Sequence, residues 1–287
     1  MATLRDWPWF NRIRRRWIEI FLDRRRESLI EVCQAFPAFT PCSAGDYVSL
    51  ARLTLSSINR VLPLLQEVAQ TALERGMVVR RLEEFPATQE EKNDADRLRH
   101  AFDRWGSDKG SELHYHHLYA PIFRRFPENP VMLEIGIGTN HADTVSHMGK
   151  DTRPGGSLRA FRDFCPSLRI FGADLDPRIL FQEDRIRTFF VDQTRAETFE
   201  ELRRQLPGAM DLIIDDGLHS PEANLQTLRF ALPLLRPGGW CVIEDITPAA
   251  SPLWQTVGLL LGDGWRAHCF QAARAVVFAV QRAPREK

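Results

Sequence analysis

The chain carries no net charge: 38 basic residues balance 38 acidic ones over 287 positions. A general nucleic-acid binder usually shows a basic excess, so no nucleic-acid partner is expected. Cysteine is scarce and scattered. Cys33, Cys42, Cys165, Cys241 and Cys269 are odd in number and form no Cys-x-x-Cys pair. That argues against a disulfide frame or a zinc site, and for reduced, mostly buried thiols. No apolar stretch approaches the roughly 18 residues of a membrane span. Arg5, Asp6 and Arg12 interrupt the first residues, so no secretory core is expected there, and a cytoplasmic location is. Internal repeats and low-complexity tracts are also missing.

What is present suffices for a large core: 44% of the residues are hydrophobic and 26% charged, as in ordinary globular proteins. Two regions differ in rhythm. Residues 1 to about 126 read as helical. Ile13, Trp17, Ile20 and Phe21 fall on one helical face, flanked by the arginine triplets 14–16 and 24–26. These triplets suit a solvated helix surface better than a membrane or RNA contact. Trp7, Trp9 and Trp17 suit packing against another helix or subunit. From Tyr47 to Leu73 the spacing is again helical, with Pro63 as a kink or fresh start and Gly76 as an end. Thr88 to Glu91 has the form of a capping box and opens a helix running to Gly106. The expected organisation is a helical region over 1–90 and a second domain over 91–287.

From Val131 the rhythm becomes strand, turn, helix. Strands are expected at 131–136, 169–174, 187–191, 211–215 and 239–244, and helices at 157–164, 195–205, 221–235 and 251–261. A final pair, 265–270 and 274–281, fits an antiparallel hairpin. Such alternation implies parallel strands with helical crossovers. The predicted fold is α/β: a doubly wound, mostly parallel, seven-stranded sheet with a helical region ahead of it.

In such sheets ligands sit beyond the carboxyl ends of the strands. The first strand runs into Gly136 and Gly138 behind the acidic Glu134, a turn that lets backbone approach a ligand closely. Asp174 ends the second strand, where one carboxylate can accept both hydroxyls of a ribose. Asp192 and Gln193 follow the third and suit an adenine edge. The fourth ends in Asp215-Asp216-Gly217-Leu218-His219, and the fifth in Glu244-Asp245. A lone strand-end Asp is more often a turn former or cap. Polar residues at four strand ends and a glycine turn at the other make a stronger case.

A nicotinamide dehydrogenase also wants the glycine turn and the acid after the second strand, but His141 stands where its third glycine would be. Glu134 and the later carboxylates suit a cationic sulfonium cofactor better than a pyrophosphate. Three carboxylates at adjacent strand ends, Asp216, Glu244 and Asp245, repel one another unless a cation joins them, and oxygen ligands suit magnesium or a similar hard ion. His219, three residues past Asp216, is placed to take a proton from a hydroxyl coordinated there; the competing reading is a capping Asp216 and a half-exposed His219 at a helix start. His114, His116 and His117, with Tyr115 and Tyr119, are open between acceptor-pocket lining, helix packing and, least favoured, a metal site. His141 and His147 lie in a polar loop that is either a lid or plain solvated chain.

The segments Leu133–Gly138, Gly155–Arg159, Gly172–Asp174, Ile214–His219 and Val242–Asp245 resemble class I S-adenosylmethionine-dependent methyltransferases. More narrowly, they resemble the metal-dependent sugar O-methyltransferases of macrolide biosynthesis. Trp105–Gly110, with His114 and Tyr119, is similar to the segment ahead of that family's cofactor domain, and the resemblance covers about 100–282. It implies a Rossmann-like methyltransferase domain, Asp216, Glu244 and Asp245 as ligands of Mg2+ or a similar divalent ion, and His219 as general base. Asp174 would hold the ribose of S-adenosylmethionine, with Glu134, Gly136, Gly138, Asp192, Gln193 and Asp215 completing the cofactor site. Leu218 replaces the usual small polar residue, 139–154 is an unusual polar loop, and the first 90 residues match nothing in the pattern. The expected partners are a small hydroxylated acceptor, a sugar or another natural product, and further copies of the chain in a homo-oligomer. Three alternatives remain: a metal-independent class I methyltransferase, a nicotinamide oxidoreductase, and a catalytically silent scaffold whose arginine-rich helix binds a partner or membrane.

Overall fold

The computed structural model describes residues 27–42, 46–73, 76–149 and 152–284. The arginine triplets 14–16 and 24–26, the face formed by Ile13, Trp17, Ile20 and Phe21, and Trp7 and Trp9 lie outside the described residues. The chain divides into two compact units, Met1–Val68 and Ala69–Lys287.

In the first unit, residues 27–35 form helix α1 and Pro37–Phe39 a 3-10 turn. Helix α2, Tyr47–Ala72, continues past the boundary and keeps Pro63 inside one element. Thr54 is buried, donates to the Leu50 carbonyl at 2.8 Å, and meets the Thr40 hydroxyl at 3.0 Å.

The second unit is built on one sheet. Among the described residues its order is β1 (Val79–Arg81), β8 (Trp265–Gln271), β9 (Val276–Arg282), β7 (Leu235–Ile246), β6 (Met210–Asp215), β2 (Val131–Ile135), β3 (Arg169–Asp174), β5 (Ile186–Phe190), β4 (Gln182–Glu183). The five central runs, from β7 to β5, are parallel neighbours, and β9 runs antiparallel between β7 and β8. All seven expected strands form. The sheet nevertheless has nine: β1 adds to β8 and β4 to β5 at the two margins. Two to three residues of polar composition leave no apolar run to read, so these margins escape sequence patterning. Strand β1 also corrects the expectation that everything before about residue 126 is helical.

Strand alternation divides the core. Met132, Ile170, Leu212, Ile214 and Val242 pack on one side with Phe102, Tyr119 and Phe161. These last three come from helices α3 (Gln89–Trp105), α4 (His116–Arg124) and α5 (Gly156–Phe164). Leu133, Ile135, Ile213, Cys241 and Ile243 face the other way, onto Phe199, Phe230 and Trp254. Those belong to α6 (Ala196–Gln205), α7 (Pro221–Ala231) and α8 (Ser251–Leu260). Successive residues of a strand point to opposite faces, so each central strand must be apolar throughout. The cysteines are free, and Cys241 and Cys269 are buried.

The helix ends follow local chemistry. The Thr88 hydroxyl accepts from Glu91 N at 3.2 Å while Glu91 Oε2 accepts from Thr88 N at 3.2 Å, a reciprocal cap. Gly106 closes α3 at φ +70°, where a Cβ would be strained. Helix α7 starts on Ser220 and Pro221 as expected but stops at Ala231 rather than 235. Strand β7 already begins at Leu235, and its register shifts before Trp240, where Gly238 takes φ +84°. The chain leaves β2 for β3 and β5 on one side and returns through β6 on the other. The switch point of strand order therefore lies between β2 and β6, beside Gly136 and Asp216.

Candidate active site

Gly136 and Gly138 adopt φ +84° and +80°. A Cβ on Gly136 would collide with the carbonyl of Asp216, and one on Gly138 with the Met148 side chain. Asp174 shapes this turn from the next strand: Oδ2 accepts from Ile137 N and Oδ1 from Asp176 N, both at 2.9 Å. Burial pushes its pKa above the usual carboxylate range. Asp192 accepts from the backbone and hydroxyl of Thr194 at 2.9 and 2.6 Å.

Gln193 donates to Asp215 Oδ1 at 2.8 Å and Thr227 Oγ1 at 2.9 Å, and accepts from Leu218 N at 2.8 Å. Asp215 takes a further bond from Asn224 at 3.0 Å. Both side chains therefore brace the turn at Gly217 and Leu218.

A cavity of about 240 Å3 opens over these strand ends. Gly136, Gly138, Asp174, Asp192 and Gln193 line it, and so do Asp216, His219 and Asp245. Glu134, Asp215 and Glu244 are fully buried and do not line it. The polar loop forms another wall through Thr144 to Met148, including His147 but not His141. It is tied down where Ser146 Oγ donates to the Gly217 carbonyl at 3.0 Å and where the Arg178 guanidinium grips Asp143 at 2.8 and 3.0 Å.

Asp216, His219 and Asp245 offer ligand atoms within 4.8 Å of one another. His219 Nε2 stands 4.0 Å from Asp216 Oδ1 and 3.8 Å from Asp245 Oδ2. His219 and Asp245 hold φ +55° and +51°, an uncommon conformation outside glycine that clusters at functional sites. His219 Nδ1 is buried without a partner.

Glu244 lies deeper: Oε2 accepts from Lys109 Nζ and Oε1 from the Tyr119 hydroxyl. Tyr115 donates to Asp245 Oδ1. Burial raises the Glu244 pKa well above the ordinary range and also raises that of Asp216. It pushes Glu134 to about 7 despite Lys109 nearby.

Lys109 is the residue sequence reasoning gave no role. Its Nζ lies 2.6 Å from Asp216 Oδ2 and 3.4 Å from Glu134 Oε1. Burial works against its charge, yet the surrounding carboxylates hold its pKa well above the usual value. The available signal was its position in Trp105–Gly110.

Tyr115 and Tyr119 thus hold carboxylates rather than line the cavity. His116 sits against His117 with ring centroids 4.2 Å apart and reaches the Gly110 carbonyl at 3.1 Å. Burial lowers its pKa to about 4. Among the described residues these histidines join no grouping of metal-ligating atoms.

The fold is the Rossmann-like methyltransferase fold, and residues 137–246 match the model of a methyltransferase domain. Among curated relatives, the 8-demethyl-8-(2-methoxy-alpha-L-rhamnosyl)-tetracenomycin-C 3'-O-methyltransferase of Streptomyces olivaceus is 36% identical over 156 residues, 54% of this chain and 36% of that protein. The mycinamicin VI 2''-O-methyltransferase of Micromonospora griseorubida is 38% identical over 137 residues, 47% of this chain and 32% of that protein. The match thus spans about a third of the length of these relatives. A solved structure of the MycE methyltransferase from the mycinamycin biosynthetic pathway, in complex with Mg and SAH, superposes with a TM-score of 0.51 at 26% identity. It covers 66% of this chain and 55% of that one. A second, with mycinamycin VI also bound, gives 0.52 at 25% identity, covering 66% and 54%.

Proposed function

We propose that this chain is an S-adenosylmethionine-dependent O-methyltransferase that requires a divalent metal and acts on a hydroxyl of a sugar or other natural product. The observation that carries the reading is the single cavity joining the glycine turn and Asp174 at one end to Asp216, His219 and Asp245 at the other. The relatives named as sugar O-methyltransferases, and the MycE complexes with Mg and SAH, support the same assignment.

The residues fit a hard cation. Glu134, Asp216 and Glu244 converge around Lys109, and Asp245 joins Asp216 at His219, so the oxygen ligands outnumber the one ammonium. Asp216 and Asp245 would be the ligands nearest the cavity, with Glu244, whose Oε2 accepts from Lys109, behind them. When bound, the divalent ion supplies positive charge that polarises the acceptor hydroxyl and lowers its pKa.

The chain's own residues do the rest. Asp174 and the turn at Gly136–Gly138 hold the methyl donor, with Asp192, Gln193, Glu134 and Asp215 supporting that end. His219 Nε2 takes the hydroxyl proton as the oxygen forms its bond to the methyl carbon and the carbon–sulfur bond breaks. The loop at 144–148 excludes water. Residues 91–287 are the proposed catalytic domain, and 1–90 a region ahead of it whose strand β1 joins that domain's sheet. A homo-oligomer is part of the proposal, supported by Leu53, Leu64 and Val68 standing exposed on α2. Among the described residues no helix is long and apolar enough to cross a membrane.

The test is methyl transfer to glycosylated macrolide or polyketide acceptors before and after chelation. Chelation is expected to abolish transfer and leave S-adenosylhomocysteine binding in place, with Mg2+ restoring activity. Undiminished transfer after exhaustive chelation would remove the metal from the mechanism.

A further inference from the structure

Lys109 is 1% exposed, yet it carries an ammonium among carboxylates from three different strand ends. Glu134 belongs to β2, Asp216 follows β6, and Glu244 lies in β7. The loop that delivers Lys109 is fixed at both ends. Ser107 N donates to the Phe102 carbonyl at 2.9 Å behind the left-handed Gly106. Asp103 accepts from Ser111 N at 2.9 Å and Ser111 Oγ at 2.7 Å. A Cβ on Gly156, at the start of α5, would stand 2.7 Å from the Trp105 carbonyl, so this glycine lets the loop lie against the sheet's helical layer.

A buried ammonium is costly to desolvate unless paired, and so are the buried carboxylates of Glu134 and Glu244. Each side needs the other. We infer that Lys109 is a positioning residue: a tethered counter-ion that holds Glu134, Asp216 and Glu244 and with which a divalent cation must compete for their charge. The inference rests on the proposed function for its link to metal. The contacts on which it stands are between the chain's own side chains.

It has a consequence that a packing role lacks. Lys109 and a divalent cation offer positive charge to the same carboxylates. A neutral side chain of similar length at 109 therefore leaves the cation as the chief remaining source of that charge.

The experiment is a double-mutant cycle with K109M, E244Q and K109M/E244Q, measured in EDTA by thermal denaturation, alongside Mn2+ binding by electron paramagnetic resonance. K109M is expected to lower the metal-free melting temperature by at least about 5 °C, because it leaves buried anions uncompensated. The double variant is expected to melt above K109M, since the second change removes one of those anions. K109M is also expected to bind Mn2+ about tenfold more tightly than the wild type, since it lacks the competing positive charge. An additive cycle, a double variant that does not fold, or weaker Mn2+ binding by a folded K109M would overturn the inference. A wild type that binds no Mn2+ beside a strongly non-additive cycle would instead refute the metal reading and keep Lys109 as the counter-ion.

Discussion

The carbonyl of Asp216 occupies the space that a Cβ on Gly136 would need. This contact brings the end of β6 against the turn after β2, and so joins the carboxylate end of the cavity to the glycine end. Gly136→Ala would force the two apart while placing a methyl group at φ +84°. The expected result is a stability loss of about 1–3 kcal/mol, together with loss of S-adenosylhomocysteine binding. Denaturant melts and calorimetric titration check both. Unchanged binding by a folded G136A protein would separate the turn from the ligand.

His219 is expected to matter to chemistry and not to folding. His219 lines the cavity, and its buried Nδ1 has no hydrogen-bond partner, so no packed core depends on a bond from its ring. His219→Ala should lower kcat by about 10²–10⁴-fold, the usual worth of a general base, with S-adenosylhomocysteine affinity and melting temperature close to wild type. Turnover within a few-fold of wild type would leave proton removal to another group or to solvent.

The central strands and their terminal residues were legible because burial on both faces demands uninterrupted apolar runs, and an acid at the end of such a run stands out. Asp216, His219 and Asp245 come together because they end neighbouring strands, which the order of segments already implied. Less legible was the division of labour among the polar residues. Gln193 and Asp215 spend their side chains on each other and on the turn at Leu218, a partnership across 22 positions that no local pattern encodes. Lys109 lies on a loop before β2, outside the strand-end rule altogether. The short strands β1 and β4 form only because a longer neighbour offers them an edge.

Asp174 has two duties that substitution can part. Its carboxylate accepts from the backbone of Ile137 and Asp176, and it also lines the cavity. Asp174→Ala leaves two buried N–H groups without acceptors, and about 2–4 kcal/mol of stability should go with them. Asp174→Asn keeps one acceptor oxygen and should recover about half that loss while remaining deficient in ribose binding. If the asparagine variant binds S-adenosylhomocysteine as the wild type does, Asp174 serves only the turn.

Asp176 makes the fold acid-sensitive in a defined direction. Hydrogen bonds from the Arg178 side chain, outweighing burial and aided by the Thr139 hydroxyl, hold its carboxyl well below the usual carboxylate range. Unfolded, the same group titrates near about 3.9. Between those two values the unfolded chain binds more protons than the native one, so stability rises with pH across that window. The contribution is complete above about pH 4 and is lost as the pH falls through the native value. Asp176→Asn should therefore melt below the wild type at neutral pH and lose less on acidification, so that the gap between the two curves narrows as the pH falls below about 4. Arg178 uses the same guanidinium to hold Asp143 and Thr144 of the loop over the cavity. D176N should thus also weaken S-adenosylhomocysteine binding at neutral pH, where the wild-type fork is intact. Parallel melting curves from about pH 3 to 7 would show that the Asp176 charge does not support the native state.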